Sequence, residues 1–292
     1  MDLTGSIVAL VTPFNSDGSV NLKKVSELVR WHIDKGTDGI VALGTTGESS
    51  TMSHEEDAQV VEACLEAADG QIPIIAGSGS NSTETMLEKS LDYEKTGADG
   101  LLLITPYYNK SNAEGIYRHF TTVADAVKIP CILYNVPSRT TCEIPLSKMA
   151  ELAAHPNIYG IKEASGDISY TAHVARHVSP DFRMYSGNDD QIVPLMSLGG
   201  NGVISVLANV LPTETHEIVA KWMAGDIEGA CELQLKYVPF VEALFSDVNP
   251  IPIKEAMNLM GMEVGGYRLP LYEMSQPNQT KMVEIMRQLG LL

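Results

Sequence analysis

The sequence predicts an α/β protein, a (β/α)8 barrel of the TIM type with a C-terminal helical extension. Three observations carry that reading. Short apolar runs alternate with amphipathic helical patterns at roughly 25 to 30 residues, the length of one βα unit. The runs are continuous rather than alternating apolar and polar, as expected of parallel strands covered on both faces. Eight of them precede Leu211, which favours a closed barrel over an open sheet.

The elements follow in order. A strand over 7–11 leads to a helix over 22–35, with Val25, Leu28, Val29 and Ile33 at helical spacing. The second strand, 39–43, precedes a helix over 55–68 that opens on Ser53-His54-Glu55-Glu56, a capping box. Strands over 72–76, 100–104 and 129–134 are followed by helices over 82–95, 113–127 and 145–153. Strands over 158–161, 182–185 and 202–206 enclose helices over 170–177 and 190–198. Three helix-to-strand junctions share one signature: Lys35-Gly36-Thr37-Asp38-Gly39, Thr96-Gly97-Ala98-Asp99-Gly100 and Leu198-Gly199-Gly200-Asn201-Gly202. Each supplies a glycine helix stop, a turn and a buried strand. Past Leu211 the patterns over 214–224, 227–244, 253–260 and 279–289 are all helical. We therefore expect a catalytic barrel domain over 1–224 and a helical extension over 225–292, with no low-complexity linker between them.

Composition narrows the function classes. The 292 residues are 44% hydrophobic and carry a formal net charge of −17. No basic cluster exceeds a pair such as Lys23-Lys24, so neither nucleic acid nor a membrane surface is an expected partner. The first residues lack a basic leader and no apolar run reaches membrane-spanning length, so a cytoplasmic location is expected. Cys64, Cys131, Cys142 and Cys231 form no CxxC pair and read as reduced thiols.

In such barrels the reactive groups stand at the C-terminal strand ends. Here those ends carry Gly44-Thr45-Thr46-Gly47-Glu48, Thr105-Pro106-Tyr107-Tyr108-Asn109, Tyr134-Asn135-Val136-Pro137-Ser138-Arg139, Lys162, and Ser186-Gly187-Asn188-Asp189. Lys162 is the most informative. An ammonium at the end of a buried strand is costly to desolvate, which lowers its pKa and frees a neutral amine to attack a carbonyl. The bland reading is a lysine that reaches solvent or pairs with Glu163. Tyr134 can shuttle a proton, and the Thr45 hydroxyl can link one phenol to another. The Thr45-Thr46 turn offers backbone N–H groups to a carboxylate, and Arg139 a planar fork to a second. Singly, each has an ordinary structural role: packing for Tyr107 and Tyr108, a loop cap for Thr45-Thr46, a surface ion pair for Arg139. His173 and His177 stand at i, i+4 but lack a third ligand nearby in sequence, so no metal site is expected. Neither a GxGxxG nor a GxxxxGK[ST] motif is present.

Gly44-Thr45-Thr46-Gly47-Glu48, Tyr134-Asn135-Val136-Pro137-Ser138-Arg139-Thr140 and Gly160-Ile161-Lys162-Glu163-Ala164 resemble the motifs of the pyruvate-dependent class I aldolases, and within them the dihydrodipicolinate synthase family. Asn249-Pro250-Ile251-Pro252-Ile253-Lys254 and Arg268-Leu269-Pro270-Leu271 extend the resemblance over essentially the whole chain. It implies a lyase in which Lys162 forms a Schiff base with pyruvate. The derived enamine would attack aspartate semialdehyde to give 4-hydroxy-tetrahydrodipicolinate, in lysine and diaminopimelate biosynthesis. Tyr134, Thr45 and Tyr108 would relay protons, the last reaching into a neighbouring subunit's site, so a homo-oligomer (dimer or tetramer) is implied. Thr46 would bind the pyruvate carboxylate and Arg139 that of the semialdehyde. Gly187 and Ile204 match pocket-lining positions. No cofactor is implied, because the protonated imine is the electron sink.

Ser49, Ser50, His54, Asn81 and Tyr107 match the cleft where lysine-inhibited members bind their effector. Asp57 and Thr85 depart from it, standing where such members carry a histidine and a glutamate, and weak or absent lysine feedback is expected. Two other readings stand beside the synthase: a different 2-keto-acid aldolase acting on a sialic or sugar acid, and a non-catalytic ligand-binding barrel.

Overall fold

Eight parallel strands close on themselves, β1 pairing with both β2 and β8 in the computed structural model, which describes residues 3–292. Met1 and Asp2, where the expected barrel domain begins, lie outside the described residues. The strands are β1 Gly5–Ala9, β2 Gly39–Ala42, β3 Ile74–Gly77, β4 Gly100–Ile104, β5 Cys131–Asn135, β6 Ile158–Glu163, β7 Arg183–Ser186 and β8 Gly202–Ser205. The helices are α1 Leu22–Asp34, α2 His54–Ala68, α3 Thr83–Thr96, α4 Ala113–Ala126, α5 Pro137–Thr140, α6 Leu146–Ala153, α7 Ile168–Ala175, α8 Ile192–Ser197, α9 Pro212–Met223, α10 Ile227–Leu244, α11 Ile251–Leu259 and α12 Gln276–Gln288.

The expected architecture is present, with differences at element edges that have local causes. β3 and β5 start later than the apolar runs because Pro73 and Pro130 interrupt them and donate nothing to a ladder. Past Ala9 the ladder ends within two residues: Leu10 N still donates to Val41 O of β2 at 2.9 Å, but Val11 N turns to the Asn209 side chain at 3.1 Å. β6 runs on to Glu163, since Lys162 and Glu163 still pair with Tyr134 and Asn135 on one side and with Tyr185 and Ser186 on the other. The four-residue α5 was not visible as a periodic segment. At α2 the capping box forms as expected, Glu56 N donating to Ser53 Oγ at 3.2 Å and Ser53 N to the Glu56 carboxylate at 2.9 Å.

Two apolar layers result. The larger lies between the sheet and the surrounding helices. The smaller fills the barrel, built from inward residues that include Ile7, Val41, Ile75, Ile132, Tyr185 and Ile204. Tyr185 closes the floor by donating to Leu3 O at 2.6 Å. Above this plug the inside of the barrel opens towards the C-terminal strand ends.

The helical extension returns over that open end. On α10, Gln234 donates to Asp189 O at 2.8 Å. On α11, Lys254 and Glu48 form a fully buried ion pair at 2.8 Å. Arg268 grips the Glu56 carboxylate and the carbonyls of Gly18 and Thr51. The extension therefore shapes the mouth of the barrel as well as following it in sequence.

Candidate active site

A cavity of about 520 Å³ opens at the C-terminal strand ends. Thr45, Thr46, Tyr134, Arg139, Lys162 and Gly187 all line it, so residues that follow four different strands meet in one cavity. Its outer wall comes from the extension, through residues 245–249.

Lys162 is 5% exposed at the end of β6, inside the barrel. Strand alternation sends the next residue, Glu163, to the opposite face. There its carboxylate accepts from Asn135 Nδ2 at 2.8 Å and from Ser165 N at 2.6 Å. Glu163 is thus occupied elsewhere, and the bland pairing with Lys162 is not made. The Lys162 Nζ instead stands 4.4 Å from the centre of the Tyr134 ring. Burial pushes the ammonium down to about 8. The Asp189 carboxylate opposes that fall and the Arg139 charge adds to it. At neutral pH roughly a tenth of such a lysine is the free amine, against a negligible fraction for an exposed one.

Asp189 is the buried carboxylate nearest in effect. Its Oδ2 accepts from Val206 N at 3.0 Å and Leu207 N at 2.9 Å, while Oδ1 has no partner. Burial raises its pKa, against the Ser205 hydroxyl, those two N–H groups and the Lys162 charge. Sequence reading placed Asp189 at this strand end without a role.

Tyr134 is buried beside the lysine. Burial raises its phenol pKa, while the Arg139 charge and a hydrogen bond from Thr45 oppose the rise. Thr45 lines the cavity beside Tyr134. Thr46 is buried and its Oγ1 accepts from Asn249 Nδ2 at 2.9 Å. Arg139 stands at the mouth, its Nη2 donating to Asn249 O at 3.3 Å. Gly187 N donates to Glu163 O at 2.7 Å, which draws its backbone against the lysine stem. Ile204 sits in the packed inner layer below the cavity rather than on its wall.

Tyr108 is not brought to this cavity. It is 92% exposed, with a left-handed backbone at φ 69°. Asn81 and Asn109 hold the turn around it: Asn81 Nδ2 donates to Tyr107 O at 3.1 Å and Asn109 Nδ2 to Asn81 O at 2.9 Å.

A second cavity of about 420 Å³ shares Thr45, Tyr134 and Arg139 with the first. Ser49, Ser50, His54, Tyr107 and Thr85 line it, while Asn81 stands behind as the anchor of Tyr107. Lys89, which the sequence did not single out, lines it too. Its Nζ lies 2.7 Å from Asp57, which is fully buried and also accepts from Ser49 Oγ at 3.2 Å. Among the described residues no group of three His, Cys, Asp or Glu could hold a metal ion, and no helix is long and apolar enough to cross a membrane. The four cysteines are unpaired.

Comparison with known proteins shows the family. Residues 2–289 match the Dihydrodipicolinate synthetase family. The chain is 51% identical over 289 residues to the 4-hydroxy-tetrahydrodipicolinate synthase of Thermoanaerobacter sp. (strain X514), covering 99% of this chain and 97% of that one. Its fold superimposes at a TM-score of 0.96, with 42% identity and all of both chains covered, on the chloride-inhibited dihydrodipicolinate synthase from Acinetobacter baumannii complexed with pyruvate. The enzyme from Cyanidioschyzon merolae with lysine bound matches at 0.96 and 39% identity, over 99% of each chain.

Proposed function

The chain belongs to the dihydrodipicolinate synthetase family, and from that premise we propose how its cavity works. The reaction is the condensation of pyruvate with L-aspartate 4-semialdehyde to 4-hydroxy-tetrahydrodipicolinate, a lyase-class step of lysine and diaminopimelate biosynthesis. Lys162 is the nucleophile. Its Nζ adds to the ketone carbon of pyruvate and expels the oxygen as water, leaving an imine. Loss of a methyl proton gives the enamine, whose carbon bonds to the aldehyde carbon of the semialdehyde. The α-amino group of that substrate then attacks the imine carbon, closes the ring and releases Lys162.

The observation that carries this reading is Lys162 itself: buried, free of Glu163 and set against the Tyr134 phenol. A group so placed supplies far more neutral amine at neutral pH than an exposed lysine does, with the Tyr134 ring beside it. Tyr134 moves the protons and Thr45 connects it outward. Thr46 binds the pyruvate carboxylate. Arg139, at the mouth, binds the semialdehyde carboxylate. Tyr108 completes the relay in a neighbouring subunit; its exposure, and the lining of its own cavity by other residues, support that reading. We accordingly take the working form to be a cytoplasmic homo-oligomer, a tetramer or a dimer. The second cavity, through Ser49, Ser50, His54, Asn81 and Tyr107, is the candidate effector cleft.

Borohydride reduction with pyruvate, followed by intact mass and peptide mapping, tests the nucleophile. A reduced pyruvyl adduct on Lys162 is expected, and its absence in folded protein would remove the imine mechanism. Turnover with aspartate semialdehyde, and none with N-acetylneuraminate, separates the synthase from a sialic acid lyase.

A further inference from the structure

Thr46 and the extension meet at a single side-chain hydrogen bond. Asn249, 4% exposed and on the cavity wall, donates from Nδ2 to Thr46 Oγ1 at 2.9 Å. A hydroxyl has one proton to give and two lone pairs to receive with. Here a lone pair is taken by the amide, and no protein acceptor among the described residues takes the proton. An amide NH2 cannot accept, so it does not compete for that proton. The hydroxyl is left to donate into the cavity.

The Asn249 backbone is held as well, its main-chain carbonyl accepting from Arg139 Nη2 at 3.3 Å, while the side-chain Oδ1 is buried without a partner among the described residues. Five residues on, Lys254 is locked to Glu48, two residues past Thr46, at 2.8 Å. The 46–48 turn and the 249–254 segment are therefore joined at two points, and the Asn249–Thr46 bond is the one that faces substrate.

We propose that Asn249 is a positioning residue that fixes the donor direction of the Thr46 hydroxyl, so that the pyruvate carboxylate meets a proton and not a lone pair. The inference rests on the reading of Thr46 as the carboxylate site. The opposite direction, Thr46 donating to Asn249, would turn an oxygen lone pair towards an anion in a confined cavity, where such a contact is poorly screened. Asn249 acts through Thr46 and need not touch the reacting atoms.

The test is a double-mutant cycle read by pyruvate dependence. Thr46→Val, Asn249→Leu and the double variant are compared with wild type. The readouts are the pyruvate concentration that half-saturates borohydride trapping, and kcat and KM for both substrates. Asn249→Leu keeps the volume and removes the donor. It is expected to raise pyruvate half-saturation roughly three- to tenfold, the worth of one oriented hydrogen bond, with the semialdehyde KM within about twofold. The double variant is expected to match Thr46→Val, because the two side chains act as one unit. A general disturbance of the wall would instead multiply the single effects and shift both KM values. If Thr46→Val leaves half-saturation unchanged, the carboxylate assignment falls and the inference with it. If Thr46→Val raises it but Asn249→Leu does not, or the two effects multiply, the inference alone is overturned. Should Asn249→Leu not fold, Asn249→Ala takes its place in the same cycle.

Discussion

The backbone of Gly187 is packed against the side chain of Lys162. A Cβ built on Gly187 would stand 3.1 Å from Lys162 Cε and 2.5 Å from the Ala164 Cβ. Space, and not backbone conformation, demands glycine here. Gly187→Ala must push the lysine stem or bend the loop after β7. Displacement of a nucleophile by a fraction of an ångström costs reactivity steeply, so borohydride-trapped adduct should form about tenfold more slowly or worse. Trapping at the wild-type rate in a folded Gly187→Ala protein would show that the stem has room to spare.

Lys162 trades stability for reactivity. Its folded pKa, about 8, lies below its unfolded value near 10.5. Between those two pH values the unfolded chain binds the extra proton, so stability rises with pH across that window. Below about pH 8 the cost is present in full, on the order of 3 kcal/mol. Lys162→Met should therefore melt several degrees higher than wild type at pH 7, and the gap should narrow towards pH 10. In the wild type, adduct formation at low pyruvate should climb with pH and level off above about 8. A variant less stable at pH 7 would mean that protein partners compensate the buried charge.

Much of the barrel is legible in the sequence because its signals are local. Apolar runs, glycine helix stops and the Ser53–Glu56 capping box each act within a few residues. Lys162, Tyr134, Thr45 and Arg139 are legible for the same reason, since strand ends in this topology share one face. Contacts that span the chain leave no such trace. Thr46 meets Asn249 across 203 positions, and Glu48 meets Lys254 across 206. Both pairs depend on the extension folding back, which no period encodes. Asp57 could be noticed as an unexpected residue, but its partner Lys89 lies on the next helix and only the packing of α2 against α3 joins them.

The Glu48–Lys254 pair is such a hidden contact. Both side chains are fully buried, and Lys254 also donates to Thr12 O at 3.0 Å and stands 4.4 Å over the Phe14 ring. Burial pushes the ammonium pKa down and the Glu48 charge holds it up. Lys254→Met leaves a buried carboxylate without its cation and should cost about 3–5 kcal/mol. Adding Glu48→Gln should recover part of that loss, because the stranded charge is then gone. Urea unfolding of the two single variants and the double variant measures this, and simply additive losses would contradict it.

Tyr108 offers a test of assembly. At 92% exposure it has no place in its own cavity. Subunits carrying Lys162→Met keep an intact Tyr108, and subunits carrying Tyr108→Phe keep an intact Lys162. If the tyrosine serves the neighbouring site, a mixed assembly contains sites with both groups intact. Mixing the two variants under dissociating conditions and reassembling them should raise specific activity above the average of the unmixed pools. Activity equal to that average would place Tyr108 outside the relay.

The second cavity already holds an ammonium of its own. Lys89 reaches into it at 2.7 Å from Asp57, and Asp57 is further engaged by Ser49. A lysine molecule entering there would bring a second ammonium towards a carboxylate that is fully buried and occupied. Burial already raises the Asp57 pKa, and the Lys89 charge holds it down. Thr85 on the same wall supplies a hydroxyl where a carboxylate would be needed to grip an amino group. Lysine should accordingly leave initial rates unchanged at concentrations below about 1 mM, an affinity worth only about 4 kcal/mol. Thr85→Glu combined with Asp57→Asn and Lys89→Met should make the enzyme more sensitive, by adding an acceptor and removing the competing cation together with the buried carboxylate it pairs. Initial rates over a lysine titration decide it: strong inhibition of the wild type would mean that the Asp57–Lys89 pair opens to admit the ligand.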